Sequence, residues 1–492
     1  MLFANKTLNV SFIFILVGIV SFIFADLSIS TLHPFLETSR FFGSIVDINF
    51  KNADYIVEAL LNTITIAIIA IFISSILGFL FAIIFKNIIV RISLAFTRSI
   101  HELFWALIFL QIFGLNTLSA LLAIIIPYSA ILGKVYAEIL EENDTFPDEL
   151  RGKNKISYFL YTKVPDAFPH LVAYTLYRFE CALRSTAILG FVGVITLGYH
   201  LSSFFNQGYY SDVWLILILF YIVIATIRYW FNKYTFIPAI IASFVYLKDW
   251  GELSIDNLIR FFTSDIVPAP FKYDYSLDKT INWFSNLLFD EIMVGVFNTI
   301  VVTQLSLILT AIFALVFFPI VSKKFTKIPF FGHIFLVVLR STPEYILAYI
   351  FLQLFGPSML PAALALMLHN GAIISFLIGN QSNEMELRVD STKKSIELYL
   401  YEVLPRIYSQ FLAFLFYRWE IIMRESAILG ILGVATLGFF IDSAIADFRL
   451  DKMFLLLLVT AFLNIAIDII SKKSRDYLKV DKPTSSCGCS LK

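Results

Sequence analysis

Three charged residues recur at the same spacing in two apolar stretches of this 492-residue sequence. Residues 177–198 read YRFECALRSTAILGFVGVITLG and residues 417–438 read YRWEIIMRESAILGILGVATLG, with 13 of 22 positions identical. Charged side chains inside apolar helices are costly and usually serve a function. Guanidinium groups, moreover, bind phosphorus oxyanions through paired hydrogen bonds. The repeated charges are Arg178, Glu180 and Arg184 in the first copy and Arg418, Glu420 and Arg424 in the second.

Two interpretations of these charges are open. In each copy the glutamate and the second arginine are four residues apart, so they share a helix face and can form an internal ion pair. Such pairs would hold helices together. In the other interpretation, arginines from both copies line a substrate pathway and bind an anion. Arg178 and Arg418 are the stronger candidates for that role, because no carboxylate of the repeat shares their helix face.

Each copy also ends in glycines at matching positions. Glycine lets the backbones of neighbouring helices approach closely, so we predict that these residues pack helices together or form a gate. An ordinary helix break before the next loop is the alternative interpretation. The six positions are Gly190, Gly193 and Gly198 in the first copy and Gly430, Gly433 and Gly438 in the second.

The composition of the chain is that of a membrane protein. Hydrophobic residues make up 59% and charged residues 15%, and the mean hydropathy is +0.82. A soluble protein would be about half apolar and a quarter charged. About a dozen stretches approach the roughly 20 apolar residues that a membrane-spanning helix needs. We therefore predict an all-α membrane protein with about twelve spans in two six-helix halves, residues 1–233 and 234–475, followed by a polar cytoplasmic tail, 476–492.

Lysine and arginine are concentrated in alternate short loops, which marks those loops as cytoplasmic. They include the segments 151–163 and 388–394, and the same alternation places both termini in the cytoplasm. The longer segments 27–55 and 248–290 are then on the outer face. We expect a multi-pass protein of the inner, or cytoplasmic, cell membrane.

A second repeat precedes the first one in each half. Residues 98–114 read RSIHELFWALIFLQIFG and residues 340–356 read RSTPEYILAYIFLQLFG, with 10 of 17 positions identical. Both halves contain six predicted spans and therefore run in the same direction. Parallel repeats of this kind are a common way to build a transport pathway.

The cytoplasmic loops at about 141–165 and 383–405 are also similar to each other. Each joins an acidic, Leu-Arg start to an amphipathic stretch that ends at a proline. A surface helix with apolar Ile156, Phe159 and Leu160 can bind in a groove of a partner and carry rigid-body motion into the membrane. The loop residues that we single out are Glu149, Arg151, Gly152 and Pro165, and Glu386, Arg388, Thr392 and Pro405.

These loops and the stretches after them resemble the permease subunits of phosphonate-type ABC importers. Residues 164–193 and 403–433 are similar to that family's signature region, which runs from Leu-Pro through Tyr-Arg-Phe-Glu to Leu-Gly-x-x-Gly. The Arg-Ser-x-x-Glu motif that begins at Arg98 and Arg340 is similar too. One departure is Thr392, which stands where the family's coupling loop has a glycine.

The resemblance implies the permease of an ATP-binding cassette importer for phosphonate or a related phosphorus oxyanion. It implies two copies of a cytoplasmic ATPase at the two loops and a substrate-binding protein on the outer face, with no nucleic-acid partner. ATP would be bound by the ATPase, so we expect no cofactor and no catalytic residue in this chain, which has no Walker-type loop. An ABC permease for another small solute, such as an amino acid, and an ion-coupled secondary transporter remain alternatives.

Histidine and cysteine give only a weak sign of a metal site in the sequence. His33, His101 and His369 are scattered without metal-ligand spacing. Cys487-Gly-Cys489 is a weak metal or redox pattern in the polar tail, and the sequence does not decide its role. We therefore predict no metal.

Overall fold

The computed structural model of the chain consists of α-helices and short helical turns, with no strand in the part that it describes. The predicted all-α membrane class is confirmed. The residues described are 6–31, 33–48, 50–142, 155–232, 234–247, 250–272, 276–388, 395–430 and 433–478.

The helices of residues 6–265 are, in chain order, α1 Lys6–Phe24, α2 Pro34–Gly43, α3 Ala53–Ile83, α4 Ile88–Ser99, α5 Glu102–Phe113, α6 Thr117–Glu142, α7 Lys155–Tyr158, α8 Val164–Leu189, α9 Leu197–Asn206, α10 Tyr210–Trp230, α11 Phe236–Tyr246 and α12 Ile255–Arg260. Those that follow are α13 Ala269–Lys272, α14 Leu277–Asn286, α15 Met293–Phe317, α16 Pro329–Ser341, α17 Glu344–Phe355, α18 Met359–Glu384, α19 Ser395–Glu397, α20 Leu404–Leu429, α21 Leu437–Ala446 and α22 Leu450–Leu478.

Within these described residues, seven helical segments are long and apolar enough to cross a membrane, and three bent helix pairs raise the number to ten. The predicted count of twelve is therefore not confirmed. Helix α11 has 11 residues and is about 16 Å long at 1.5 Å per residue, which is too short for a hydrocarbon core of about 30 Å. Helix α20 is longer, but it carries five charged residues.

The second repeat forms a sharp corner in each half. Helices α4 and α5 meet at 91° and α16 and α17 meet at 87°. At the first corner the ring Nδ1 of His101 accepts a hydrogen bond from the backbone N–H of Leu103 at 3.2 Å and so caps α5. At the second, Pro343 occupies the same position with φ −58°. A glutamate begins the next helix in both, where the helix dipole favours a negative charge.

The contacts divide the chain into two compact units. The central unit consists of Ser39–Asp265, and the terminal unit consists of the residues up to Thr38 together with those from Ile266 onward. This division differs from the predicted halves 1–233 and 234–475 in the placement of α1, α11 and α12, and its boundary falls within α2. The halves follow the order of the repeats in the sequence, whereas the units group the helices that pack together.

Helix α1 packs inside the terminal unit. Its Gly18 lies against α15, where an added Cβ would be 1.3 Å from a side-chain carbon of Ile308. The hydroxyl groups of Ser11 and Tyr408 are 2.8 Å apart, which connects α1 to α20. The backbone N–H of Met359 donates to the carbonyl of Asp26 just after α1. The first helix of the sequence is thus part of the unit that contains the second repeat.

Helix α11 packs inside the central unit in the corresponding way. The ring of Phe244 contacts that of Phe72 on α3, with centroids 6.3 Å apart. The carbonyl of Trp250 accepts a hydrogen bond from the backbone N–H of Leu118 at 2.9 Å. Each unit therefore combines the main helices of one repeat with the helix that precedes the other repeat in sequence.

The core of each unit is formed by a pair of long helices in close contact. In the central unit, a Cβ added at Gly78 of α3 would lie 2.7 Å from the Cβ of Leu132 on α6. In the terminal unit, a Cβ added at Gly371 of α18 would lie 2.6 Å from the ring of Phe313 on α15. Small residues allow this approach, which is how helices commonly associate in membranes.

Candidate functional site

The corner between α4 and α5 brings a carboxylate to the interior of the central unit. Ser185 of α8 donates a hydrogen bond to Oε1 of Glu102 at 2.5 Å. The hydroxyl of Tyr128 on α6 lies 2.9 Å from the Ser185 Oγ, and it is the donor there, because the serine proton is directed to the carboxylate. Nε2 of His101 is 3.5 Å from the other oxygen of Glu102. A chain of hydrogen bonds therefore joins α6, α8 and α5 at one carboxylate.

The corresponding corner of the terminal unit is formed by different ionisable groups. Nε2 of His369 on α18 lies 3.8 Å from Oε2 of Glu344, the first residue of α17. Nδ1 of the same ring is 2.9 Å from the carbonyl oxygen of Thr342. The side-chain amide of Asn370 donates to Oε2 of Glu425 on α20 at 3.0 Å. Side chains from three helices again surround the corner glutamate, but here its neighbours are an imidazole and a second carboxylate.

The ionisable groups of this second corner form a tight cluster. One ligand atom each from Glu344, His369 and Glu425 lies within 4.8 Å of the others, and all three residues are buried. Alignment of the repeats places Ser185 opposite Glu425 and Pro127 opposite His369. The two corners therefore differ: one has a hydroxyl and a proline where the other has a carboxylate and an imidazole.

The two candidate pathway arginines contact neutral groups. Nε of Arg178 donates to the hydroxyl of Tyr174 at 2.8 Å, and its guanidinium lies over the rings of Tyr174 and Tyr177 at 5.3 and 5.7 Å. Arg418 donates to Oδ1 of Asn370 at 3.3 Å. Asn370 in turn donates to Glu425, so one side chain links Arg418 to that carboxylate. A pathway role for both arginines stays a prediction.

The ion pair expected in the first copy is present. Arg184 and Glu180 approach to 3.6 Å on one face of α8. The same guanidinium is 3.5 Å from the sulfur of Cys181. The second-copy residues Glu420 and Arg424 have the same spacing on α20 and are half-buried. Holding helices together remains one of the two interpretations of these four charges.

The glycines lie where α8 turns into α9, at a bend of 49°. A Cβ added at Gly190 would be 2.1 Å from the backbone nitrogen of Tyr199, and one added at Gly198 would be 1.9 Å from the carbonyl oxygen of Ala187. Any side chain at either position would collide with backbone. The two backbone segments therefore touch across the bend.

The second copy of the glycines has the same arrangement. A Cβ added at Gly430 would be 2.3 Å from the carbonyl carbon of Gly438. Gly193 and Gly433 have φ of +102° and +87°, a left-handed conformation that glycine adopts without strain. Both copies thus combine close approach with a helix break. A gating role stays a prediction.

The predicted ATPase-binding loops, about 141–165 and 383–405, are described in part. Pro165 and Pro405 lie exposed in the first turns of α8 and α20, but they do not end a separate helix as the sequence suggested. The π-helical segments Phe159–Lys163 and Leu398–Val403 lead into α8 and α20 without a turn. Proline lacks a backbone N–H, and the extra residue in a π turn accommodates such interruptions. Outside the described residues lie Glu149, Arg151, Gly152 and Thr392.

Exposed apolar side chains repeat at the start of these continuous helices. Six residues at matching positions are between 48% and 82% exposed. Phe159 was expected on the same face, but it is half-buried and contacts Phe79, with ring centroids 6.5 Å apart. The six are Ile156, Leu160 and Tyr161 before α8, and Ile396, Leu400 and Tyr401 before α20.

A buried carboxylate holds the loop of the terminal unit in place. Arg406 donates to Oε1 of Glu402 and to the carbonyl of Glu386, both at 2.8 Å. The backbone N–H of Arg388 donates to Glu402 at 3.2 Å. Lys324 donates to two carbonyls at the end of α18, and burial, with the nearby charge of Arg406, lowers the pKa of this lysine. Glu386 and Arg388 are thus attached to the base of α20.

The corner residues were not among the site residues predicted from the sequence. Glu102 and Glu344 are among the identical positions of the second repeat, so a signal for them was present. Glu425 could have been found as the position where RESAILG departs from RSTAILG. His369 was seen only as an isolated histidine, because its neighbours come from other helices.

Comparison with known proteins was made at three levels. No family model and no solved structure matches the chain. A phosphate-import permease protein, PhnE, of Mycolicibacterium smegmatis is 23% identical over 421 residues, which are 79% of this chain and 78% of that protein. Because these shares are nearly equal, the relative is about as long as this chain.

Two shorter relatives match parts of the chain. A phosphite transport system permease protein, PtxC, of Stutzerimonas stutzeri is 29% identical over 30% of this chain and 56% of its own length. A putative phosphite transport system permease protein, HtxE, of the same organism is 31% identical over 27% of this chain and 52% of its own length. These relatives confirm the resemblance that the repeated motifs predicted.

Proposed function

We propose that this chain, a relative of the phosphonate-type ABC importer permeases, is the membrane permease of an importer for phosphonate or a related phosphorus oxyanion. Its curated relatives are named for phosphate, phosphite and phosphonate transport. All of them are transport components, and the multiple apolar helices agree with a multi-pass membrane protein. Because the similar-length relative matches most of the chain, the proposal concerns both repeats together.

One observation carries the mechanism: each exposed apolar triplet lies on the same continuous helix as one candidate pathway arginine. Helical structure runs without a turn from Lys155 to Leu189, and Tyr161 and Arg178 are about 25 Å apart along it at 1.5 Å per residue. A rigid helix transmits a movement at one end to the other end. A partner that moved the triplet before α8 would therefore also move Arg178.

The anion would be bound by arginines from both repeats. Arg178 and Arg418 occupy matching positions on α8 and α20, and in the contacts described above their partners are a phenol and an amide. A guanidinium group can exchange such neutral partners for a doubly hydrogen-bonded oxyanion, which is the stronger interaction. Movement of α8 or α20 would then change the surroundings of the arginine that the helix carries.

Energy would come from two copies of a separate cytoplasmic ATPase that bind at the two triplets, so the chain itself would hold no ATP. A substrate-binding protein would deliver the anion from the outer face, to segments 27–55 and 248–290. This arrangement requires both termini in the cytoplasm, in the inner membrane of the cell.

The test is a double variant, Ile156→Glu with Ile396→Glu. Both side chains are exposed, so the variant should insert and fold normally. Burying two charges in an apolar groove is costly, so co-purification of the ATPase and ATP-driven uptake in proteoliposomes should both be lost. The control is Ile89→Glu, which has similar exposure in α4 and should keep both.

Normal ATPase binding in the double variant would contradict the assignment of the triplets. A secondary transporter would behave differently from either outcome. It would take up substrate without an ATPase, and an ionophore that removes the ion gradient would stop the uptake.

A further inference from the structure

We propose that Glu344, His369 and Glu425 bind a divalent transition-metal ion, with Zn²⁺ as the probe of choice. The three residues come from α17, α18 and α20 of the terminal unit, and their ligand atoms lie within 4.8 Å of one another. His369 Nε2 and Glu344 Oε2, at 3.8 Å, are close to the ~3.4 Å separation of two tetrahedral ligands with bonds of about 2.1 Å. Glu425 supplies the third ligand atom, and a set of three protein ligands leaves the fourth tetrahedral position for water.

The orientation of the histidine is the one that metal ligands have. Nδ1 of His369 is 2.9 Å from the carbonyl oxygen of Thr342, which accepts hydrogen bonds and cannot donate them. Nδ1 therefore carries a proton, and in the neutral form of the ring the lone pair is on Nε2, which is 3.8 Å from Oε2 of Glu344. Metal-binding histidines characteristically donate their other N–H to a carbonyl or carboxylate, which fixes the tautomer in this way.

The second carboxylate is also held from outside the cluster. Asn370 donates to Oε2 of Glu425 at 3.0 Å and accepts from Arg418 at 3.3 Å. Hydrogen bonds of this kind orient metal-ligating carboxylates. With Thr342 and Asn370 the cluster therefore has an outer layer of partners for two of its three ligands.

Electrostatics favours a cation at this point. Two carboxylates close together in a buried setting repel each other, and one of them must gain a proton or share a positive charge. One divalent cation relieves this repulsion, and oxygen and imidazole ligands suit Zn²⁺ and its first-row neighbours.

The other corner provides a matched comparison. The central unit has Ser185 where Glu425 stands and Pro127 where His369 stands, and there a hydroxyl satisfies the carboxylate of Glu102. One corner uses a hydrogen-bonded chain and the other would use a metal ion to join the same three helices. The metal would brace α20, the helix that also carries Arg418.

The experiment measures metal binding by the purified full-length chain in detergent. The protein is stripped with a chelator, then titrated with Zn²⁺ by calorimetry, and the retained metal is measured by mass spectrometry. Cys487→Ser with Cys489→Ser serves as the background, because these cysteines can bind zinc elsewhere. One tightly held Zn²⁺ per chain is expected.

Variants locate the ion. Glu425→Ser, which copies the residue of the central unit, and His369→Gln should each lose the retained Zn²⁺, whereas His101→Gln, at the other corner, should keep it. X-ray absorption of the zinc-loaded parent should show nitrogen and oxygen ligands only, which tests the site even if a variant fails to fold. Absence of stoichiometric zinc, or zinc retained equally by Glu425→Ser, would overturn the proposal.

Discussion

The two corners solve the same packing problem with different chemistry. In the central unit, Glu102 receives a proton donor from Ser185, and Tyr128 supports that serine. In the terminal unit, Glu344 faces His369 in a cluster with the second carboxylate. Both glutamates begin a helix after a bend close to 90°. The corner position thus dictates a carboxylate, while its partners are free to change between the repeats.

This difference shows where a duplicated transporter can become asymmetric. The backbone features of the repeats match closely, including the bend, the left-handed glycines Gly193 and Gly433 and the π-helical segments. The side chains around the corner carboxylate do not match. We infer that geometry constrains the two repeats more strictly than the means by which each buried charge is stabilised.

The largest expected effect comes from making the central corner acidic. Ser185→Glu puts a second carboxylate beside Glu102, where Pro127 supplies no imidazole. An uncompensated buried charge costs about 3–5 kcal/mol, so we expect this variant to be largely lost from membranes. Membrane yield and the midpoint of thermal unfolding in detergent measure the loss.

Two further variants sharpen that result. Ser185→Thr keeps the hydroxyl and should fold normally. Adding Pro127→His to Ser185→Glu rebuilds the side chains of the terminal corner and should recover part of the yield when Zn²⁺ is supplied. If Ser185→Glu alone is as stable as the parent, the corners do not differ in the way described here.

The next effect concerns the arginines. Arg178→Ala and Arg418→Ala each remove a charged hydrogen-bond donor, which is worth about 1.5–3 kcal/mol, or roughly 10–100-fold in anion uptake. We expect Arg178→Ala to retain its membrane yield. Arg418→Ala should also be less stable, because Asn370 loses a partner beside Glu425. Uptake of labelled phosphite or phosphonate, normalised to membrane yield, measures both.

Controls separate pathway from structure in this pair. Arg178→Lys and Arg418→Lys keep the charge and should restore part of the uptake. Unchanged uptake in both alanine variants would remove the arginines from the pathway. In that case the Glu180–Arg184 pair becomes the candidate for the substrate pathway, and the double variant Glu180→Gln with Arg184→Gln tests it.

The smallest effect is expected at the end of the hydrogen-bonded chain. Tyr128→Phe removes the hydroxyl that donates to Ser185 but leaves the hydrogen bond between Ser185 and Glu102 intact. The loss of one such bond lowers the free energy of unfolding by about 1 kcal/mol, which a thermal melt in detergent detects. Tyr161→Phe, on an exposed side chain, is the control. A much larger loss of stability in Tyr128→Phe would mean that the hydrogen bond between Ser185 and Glu102 itself depends on Tyr128.

The helical class and several local features could be predicted from the sequence. Apolar composition determines the class, and the spacing of Glu180 and Arg184 predicted their contact. The number of spans could not be read in the same way, because apolar stretches look alike whether they form one straight helix or a bent pair such as α16 and α17. The proline at 165 also misled, since proline usually ends a helix and the π turn before it is not visible in the sequence.

The cluster at the terminal corner was beyond sequence analysis for a different reason. Glu344, His369 and Glu425 lie on three different helices, α17, α18 and α20, and only the packing of these helices brings the three residues together. A single sequence contains periodicity along each helix but not the rotation of one helix against another. The repeated glutamate was visible, whereas its partners were not.

The placement of α1 has a consequence for how the protein is made. Helix α1 leaves the ribosome first, but α15, on which it packs, begins at Met293. At synthesis rates of about 5–20 residues per second, α1 waits roughly 15–55 s before its partner helix exists. During that time its apolar surface has to be covered by lipid, by the helices made before α15 or by an assembly factor. Completion of the terminal unit is therefore a post-insertion event, and truncated nascent chains would expose an orphan helix to membrane quality control.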